Sequence, residues 1–255
     1  MSPPFEGPPF EGLSAVVTGG GSGIGLATAR LLAERGAEVA GLDVHPPKEV
    51  DGVLGLEADV TDQDTVNTAV GQAAVRFGGV DIVVANAGIG AQGTVEDNPE
   101  DEWHRVLDVN VVGVARTLRA ALPYLRRSEH AVVVTTCSVA SVVGIPQRAV
   151  YSASKGALYA LTLATAADLL PDRIRVCGVC PGTIDSPWVG RLLDGADDPV
   201  AARRALEARQ PVGRLGTPEE IASAICYLAD PSSAYSTGTV LPVDGGMTHL
   251  RVPTG

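Results

Sequence analysis

Tyr151 and Lys155, four residues apart in Tyr151-Ser-Ala-Ser-Lys155, would share one face of a helix about one turn apart. A free phenol is a weak acid, with a pKa near ~10. A cation one turn away favours the phenolate. Such a pair is suited to act as a general acid or base on an alcohol or a carbonyl near neutral pH. The spacing alone recurs by chance in many helices, so its meaning depends on what the chain sets beside it.

A second chemical signal lies near the N-terminus. A β-rich run at residues 13–18 leads into Gly19-Gly-Gly-Ser22-Gly23-Ile24-Gly25, and a helical pattern follows over 24–35, ending at Gly36. Glycines in a strand-to-helix turn let the backbone approach a ligand and aim N–H groups at a phosphate. The spacing is T-G-x-x-x-G-x-G and lacks the G-K-[ST] of a P-loop, which disfavours ATP hydrolysis. Asp43 ends the second strand (37–42), 18 residues after Gly25. An acid there can accept hydrogen bonds from both adenosine ribose hydroxyls and would repel a 2′-phosphate. Neither Ser22 nor Val44 supplies a cation to reverse that preference, so the expected cofactor is NAD. The competing reading of Asp43 is an ordinary loop aspartate.

Further strands are expected at 53–58, 81–85, 131–136, 173–179 and 239–243. Helices are expected at 63–77, 100–125, from Tyr151 to about residue 170, and from Thr217 to about residue 229. Thr217-Pro-Glu-Glu220 supplies an N-cap, a proline at the first helical position and acids in the first turn. Alternation of strands and helices with short connections specifies a Rossmann-type α/β fold, a doubly wound sheet of about seven parallel strands with helices on both faces. One domain over 13–255 is expected, with a helical insertion at about 186–210. Residues 1–12 contain PPFEG twice in tandem and read as a flexible arm. Ligands in such sheets bind at the carboxyl ends of the strands. The loop 19–25, Asp43, Asp59 with Val60, Asn86-Ala87-Gly88, Ser138 and Pro181-Gly182 all fall on that rim. Asp59 is placed to meet the adenine amino group. Asn110, in mid-helix where asparagine has poor propensity, is expected to hold a water or a kinked backbone.

The composition fits. Of 255 residues, 45% are hydrophobic and 19% charged, enough for a sizeable core. A net charge of −11 argues against nucleic acid or an anionic membrane as partner. No run reaches the ~18 apolar residues of a membrane helix, and no signal peptide is visible. A cytoplasmic location is the expectation. Cys177 and Cys180 have C-x-x-C spacing, but on a strand residues three apart face opposite ways. Together with Cys137 and Cys226 they read as reduced, buried thiols, and no metal site is expected.

Taken together, TGGGSGIG (18–25), DV (59–60), NAG (86–88), Asn110 in LDVNVVG, Ser138, YSASK (151–155), PG (181–182) and VDGG (243–246) resemble the short-chain dehydrogenase/reductase family over nearly the whole chain. The resemblance implies a catalytic set of Asn110, Ser138, Tyr151 and Lys155. Tyr151 would exchange the alcohol proton while a hydride moves to or from the nicotinamide. Lys155 would also bond the nicotinamide ribose, Ser138 the substrate oxygen, and Asn110 would keep a water in a relay from Lys155. Competing readings are a helix-capping Ser138 and a merely structural Asn110. Cofactor contacts are implied from Gly19, Ser22, Gly23, Ile24, Gly25, Asp43, Asp59, Val60, Asn86, Ala87, Gly88, Tyr151, Lys155, Pro181, Gly182, Ile184 and Ser186. Ser186 stands where the family often has threonine. A homotetramer through the two long helices is implied as well.

PGTIDSPWVGRLL and ALEARQPVGRLGTPEEIA resemble a branch containing 3-hydroxybutyrate, keto-deoxy-sugar-acid and fucose dehydrogenases. Arg148 lies three residues before Tyr151, and Arg191 and Arg209 flank the insertion expected to cover the substrate. Guanidinium groups bind carboxylates through paired hydrogen bonds, so some or all of the three are expected to grip a carboxylate or a polyhydroxylated substrate; the competing reading is solvated surface arginines. The leading expectation is an NAD(H)-dependent oxidoreductase of the secondary alcohol of a hydroxy acid or sugar. The alternatives are a 3-oxoacyl thioester reductase, disfavoured by Asp43, and a non-catalytic NAD-binding protein, disfavoured by the complete catalytic set.

Overall fold

The structure, a computed structural model, describes residues 8–48 and 50–251. Its strands are β1 (Ser14–Thr18), β2 (Glu38–Asp43), β3 (Val53–Glu57), β4 (Ile82–Ala85), β5 (Val132–Thr136), β6 (Arg175–Pro181) and β7 (Val240–Val243). They form one sheet in the order β3-β2-β1-β4-β5-β6-β7, with every pairing parallel. The helices are α1 (Gly23–Glu34), α2 (Gln63–Phe77), α3 (Glu100–Leu107), α4 (Gly113–Leu125), α5 (Ala149–Leu169), α6 (Pro187–Asp194), α7 (Pro199–Glu207) and α8 (Pro218–Ala229).

The central strands are apolar throughout because the sheet is covered on both sides. Val16, Val83, Val133 and Val176 pack with α2, α4 and α5. Their neighbours Ala15, Val17, Val84, Val134 and Val179 pack with α1 and α8 on the other face. The strand order reverses between β3 and β4, so β1 and β4 are adjacent at their carboxyl ends, where a crevice opens. Cys177 and Cys180 fall on opposite faces, and all four thiols are free and buried.

Local chemistry sets the helix ends. The Asp62 carboxylate accepts the Asp64 N–H at 2.8 Å, and Gly78 closes α2 with φ 83°. Thr217 and Glu220 form a reciprocal capping box at the start of α8. At its far end Arg175 donates to the carbonyls of Leu228, Ala229 and Asp230, placing a cation on the helix C-terminus.

Three expectations need correction. The flexible arm does not extend to residue 12. Phe10 is completely buried beside Leu13 and Leu32, and its N–H donates to the Arg35 carbonyl at 3.1 Å. The first PPFEG copy lies outside the described residues. The sixth strand begins at Arg175 rather than 173, because Arg173 takes a left-handed turn conformation, φ 58°. The helix expected over 100–125 is α3 and α4 joined by a π-turn, Asp108–Val112, centred on Asn110. The insertion comprises two helices, α6 and α7, with Val189, Leu193, Leu206 and Leu215 forming a small core of their own.

Candidate active site

A cavity of about 630 Å³ opens along the carboxyl ends of the strands. The glycine loop forms one side. A Cβ at Gly25 would lie 2.0 Å from the Gly19 carbonyl oxygen, and one at Gly21 would lie 2.3 Å from that of His45, so the loop is compact only with glycines. Gly23 has φ +52°, and a Cβ there would lie 3.8 Å from Pro187 and 3.9 Å from Ser186. Ser22 precedes α1 without a side-chain cap, and Ser22, Gly23 and Ile24 line the cavity. Helix N-terminal amides are thus presented where a pyrophosphate would sit.

The Thr18 hydroxyl accepts the N–H groups of Asn86 and Ala87 at 3.1 and 3.2 Å. The Asn86 side chain donates to the Thr18 carbonyl at 3.1 Å. Asn86 therefore lines the cavity while its amide locks the ends of β1 and β4 together. Asp43 accepts from the Gly21 N–H at 3.1 Å and from the His45 N–H at 2.9 Å, one bond on each carboxylate oxygen. Asp59 is held toward Thr61 by two bonds, and both Asp59 and Val60 line the cavity.

Tyr151 and Lys155 lie on one face of α5 as the spacing predicts, with the Lys155 ammonium 6.0 Å from the phenol ring centroid. Lys155 is 5% exposed and donates to the Thr136 carbonyl at 2.8 Å. A Cβ at Gly88 would lie 3.4 Å from the ammonium, so Gly88 keeps space open above it. Ser138 sits in extended backbone at the end of β5. Its oxygen accepts the Ala140 N–H at 3.2 Å, capping a single 3-10 turn (Val139–Ser141), and the residue lines the cavity. The cap does not remove Ser138 from the cavity that Tyr151 also lines.

Asn110 is fully buried and does not line the cavity. Its oxygen accepts the Ile89 N–H at 2.8 Å, and its amide donates to the Ile89 carbonyl and the Ser154 hydroxyl, each at 3.0 Å. The kinked-backbone expectation describes it. Both amide hydrogens and one acceptor position of the oxygen are occupied, so its side chain anchors the segment after Gly88. Gly25 is likewise packed beneath the loop rather than exposed to the cavity.

Pro181, Gly182, Ile184 and Ser186 line the opposite wall, and Ser186 caps α6 through the Val189 N–H at 3.5 Å. Arg148, Arg191 and Arg209 all reach the cavity. None has an acidic ion-pair partner among the described residues. Burial, and then repulsion from Arg209, hold the Arg148 guanidinium below its ordinary pKa, with the Tyr151 phenol acting the other way. Arg148, Arg209 and Tyr151 line the same cavity. Residues that sequence reasoning missed include Trp188, Ile89, Gly90, Thr136 and Ile145. Trp188 carried a signal, being one of only two tryptophans and lying in the expected insertion.

A crevice at the strand ends, a glycine-rich helix start and a tyrosine beside a buried lysine define the class: an α/β oxidoreductase built around a dinucleotide. The family model described as enoyl-(acyl carrier protein) reductase matches residues 19–248. The cis-4-hydroxycyclohexanecarboxylate dehydrogenase of Sinomonas cyclohexanicum is 39% identical over 256 residues, covering 96% of this chain and all of the relative. The 2-(S)-hydroxypropyl-CoM dehydrogenase 3 of Xanthobacter autotrophicus is 38% identical over 244 residues, 92% of this chain and 96% of the relative. Ligand-free aldohexose dehydrogenase of Thermoplasma acidophilum superposes with a TM-score of 0.90 at 32% identity, covering 97% of this chain and 99% of that one. The chain belongs to the short-chain dehydrogenase/reductase family. It is an oxidoreductase acting on secondary alcohols with a nicotinamide cofactor. No helix among the described residues is long and apolar enough to cross a membrane.

Proposed function

We propose that the protein interconverts the secondary alcohol and ketone of a small hydroxy acid with a hydrocarbon body, using NAD. The observation that carries this reading is that Arg148 and Arg209 both line the cavity that holds Tyr151, and that neither has an acidic ion-pair partner among the described residues. Guanidiniums so placed are stabilised by a ligand carboxylate. The same cavity is also lined by Ile145, Trp188, Leu192 and Leu206. Such a wall favours a hydrocarbon ring or chain over a sugar, whose hydroxyls would lose their hydration against it. The relative from Sinomonas, named for a hydroxycyclohexane carboxylate, supports the same class.

A bound nicotinamide cofactor would supply the hydride acceptor for oxidation and the donor for reduction. Ser22, Gly23 and Ile24 would hold its pyrophosphate through backbone amides, and Asp43 the adenosine ribose. The Asp43 carboxylate excludes a 2′-phosphate by charge. Ser138 fixes the substrate oxygen, and Tyr151 removes or returns its proton. Lys155 stabilises the phenolate electrostatically from the same helix face, and its own position is set by the Thr136 carbonyl. Asn110 is a positioning residue, holding Ile89 and the α5 turn at Ser154.

The test is kinetic. Arg148→Ala and Arg209→Ala should each raise KM for cis-4-hydroxycyclohexanecarboxylate by about tenfold or more, the scale of a charge-assisted hydrogen bond, while KM for cyclohexanol stays within about twofold, as for a contact that is not made. Equal effects on both alcohols would remove the carboxylate from the account.

A further inference from the structure

The insertion meets the body of the protein at one aromatic side chain. Trp188, the second residue of α6, packs with the insertion's small core of Val189, Leu193, Leu206 and Leu215. On its other side it lies against the segment after β4. A Cβ added to Gly90 would fall 2.4 Å from two carbons of the indole and 2.6 Å from its nitrogen. The ring therefore rests on bare backbone, at a spot where any side chain would displace it. Arg148 completes the arrangement, with its guanidinium carbon 5.5 Å from the Trp188 ring centroid.

Arg148 has reason to need such support. It occupies the position just before α5, after Gln147, whose φ of 58° is a left-handed conformation held in place by the loop. The Gln147 carbonyl accepts the Gly93 N–H at 3.2 Å and one Arg148 N–H at 2.9 Å. That bond occupies one guanidinium donor. No acid lies within ion-pair distance of it among the described residues, and Arg209, which lines the same cavity, repels it. A long, flexible side chain under like-charge repulsion would swing toward solvent. The electron-rich face of an indole attracts a cation without consuming its hydrogen-bond donors. A guanidinium over that face keeps its N–H edge free for a planar, two-oxygen anion.

We propose that Trp188 is the residue that confers selectivity for anionic substrates, by holding Arg148 over the cavity in the orientation that receives a carboxylate. It is a positioning residue, acting through Arg148. The inference rests on the carboxylate reading above, and it assigns that reading's discrimination to a residue of the insertion. Gly90 shares the role, since its lack of a side chain sets the depth at which the indole lies.

The experiment measures binding of two inert probes, cyclohexanecarboxylate and cyclohexanecarboxamide, to the NAD-loaded protein by calorimetry. NAD affinity serves as the check on folding. The wild-type protein should prefer the carboxylate. Trp188→Leu should weaken carboxylate binding by about tenfold, the scale of a desolvated cation–π contact, and leave the carboxamide within about twofold. Trp188→Phe, which keeps a ring face, should recover most of the loss. Gly90→Ala, which keeps the indole but pushes it off its seat, should show the same selective loss as Trp188→Leu. A wild-type protein that binds both probes alike would overturn the carboxylate reading and this inference with it. A wild-type preference that survives in Trp188→Leu or in Gly90→Ala would overturn the inference and leave the carboxylate reading standing. Equal weakening of both probes would make Trp188 a general wall of the cavity, again contradicting the proposal.

Discussion

Replacing Asp43 by asparagine keeps the shape of the side chain and removes its charge. In the structure the carboxylate already accepts the Gly21 N–H at 3.1 Å and the His45 N–H at 2.9 Å, so its orientation at the cavity edge is set by backbone. Each oxygen retains a lone pair for one ribose hydroxyl. A hydrogen bond to a charged acceptor contributes ~1.5–3 kcal/mol and a neutral one ~0.5–1.5 kcal/mol. Losing the charge while one amide oxygen remains should therefore cost about 1.4–3 kcal/mol, a rise in KM for NAD of roughly tenfold to a hundredfold. NADP should improve at the same time, because a unit charge pair 4 Å apart in a partly exposed site repels by up to ~4 kcal/mol. Initial rates with each cofactor, at saturating alcohol, give both KM values and their ratio. If Asp43→Asn leaves the NAD to NADP ratio of kcat/KM within about twofold of wild type, too small a change for a lost charged contact, the ribose role of Asp43 is refuted.

Three further outcomes follow from the same geometry. Tyr151→Phe removes only the hydroxyl and should lower kcat by about 10²–10⁴ with NADH binding, followed by fluorescence, unchanged. Phe10→Ala should destabilise the fold by ~3–5 kcal/mol, as a fully buried aromatic does; denaturant melts showing under 1 kcal/mol would mean that the second PPFEG copy is not part of the core. Hydrogen bonds from Arg214 and from the Thr217 backbone hold Glu220 at about 2, below the usual carboxylate value of 4.5. A lowered folded-state value gives stability that is present above pH 4.5 and lost as pH falls toward 2. Arg214→Ala should therefore flatten the acid limb of the melting temperature between those values by lowering the neutral value slightly, with the value near pH 2 little changed.

The sheet could be read almost strand by strand, because parallel strands covered on both sides are continuous apolar runs, as at Val132–Thr136. The rim residues could be read for the same reason, since each follows directly from the end of a strand. Local composition misled at Phe10. Prolines and glycines describe an extended segment equally well whether it packs or not, and only the distant partners Leu13, Leu32 and the Arg35 carbonyl decide the matter. Asn110 was marked by its poor helix propensity. The form of the irregularity, a π-turn, depends on Ile89 and Ser154, 21 residues before it and 44 after. Trp188 remained hidden because its meaning lies in Gly90 and Arg148, and nothing in the order of residues states that the three meet. The cofactor crevice is thus a product of local strand-to-helix turns, while the substrate end is assembled from long-range closure of the insertion.

The most direct test of the account is NADH formation at 340 nm with purified protein and a panel of secondary alcohols, with NADP in parallel. The panel should pair each hydroxy acid with its methyl ester and include sugars and neutral cyclic alcohols. The account predicts activity with NAD that is strongest on hydroxy acids of hydrocarbon character and falls at least tenfold on the paired esters, the effect of leaving the arginines unpaired. Activity confined to sugars would contradict the apolar, anion-binding reading of the cavity. A preference for NADP would contradict the assignment of Asp43 and return a thioester reductase to first place.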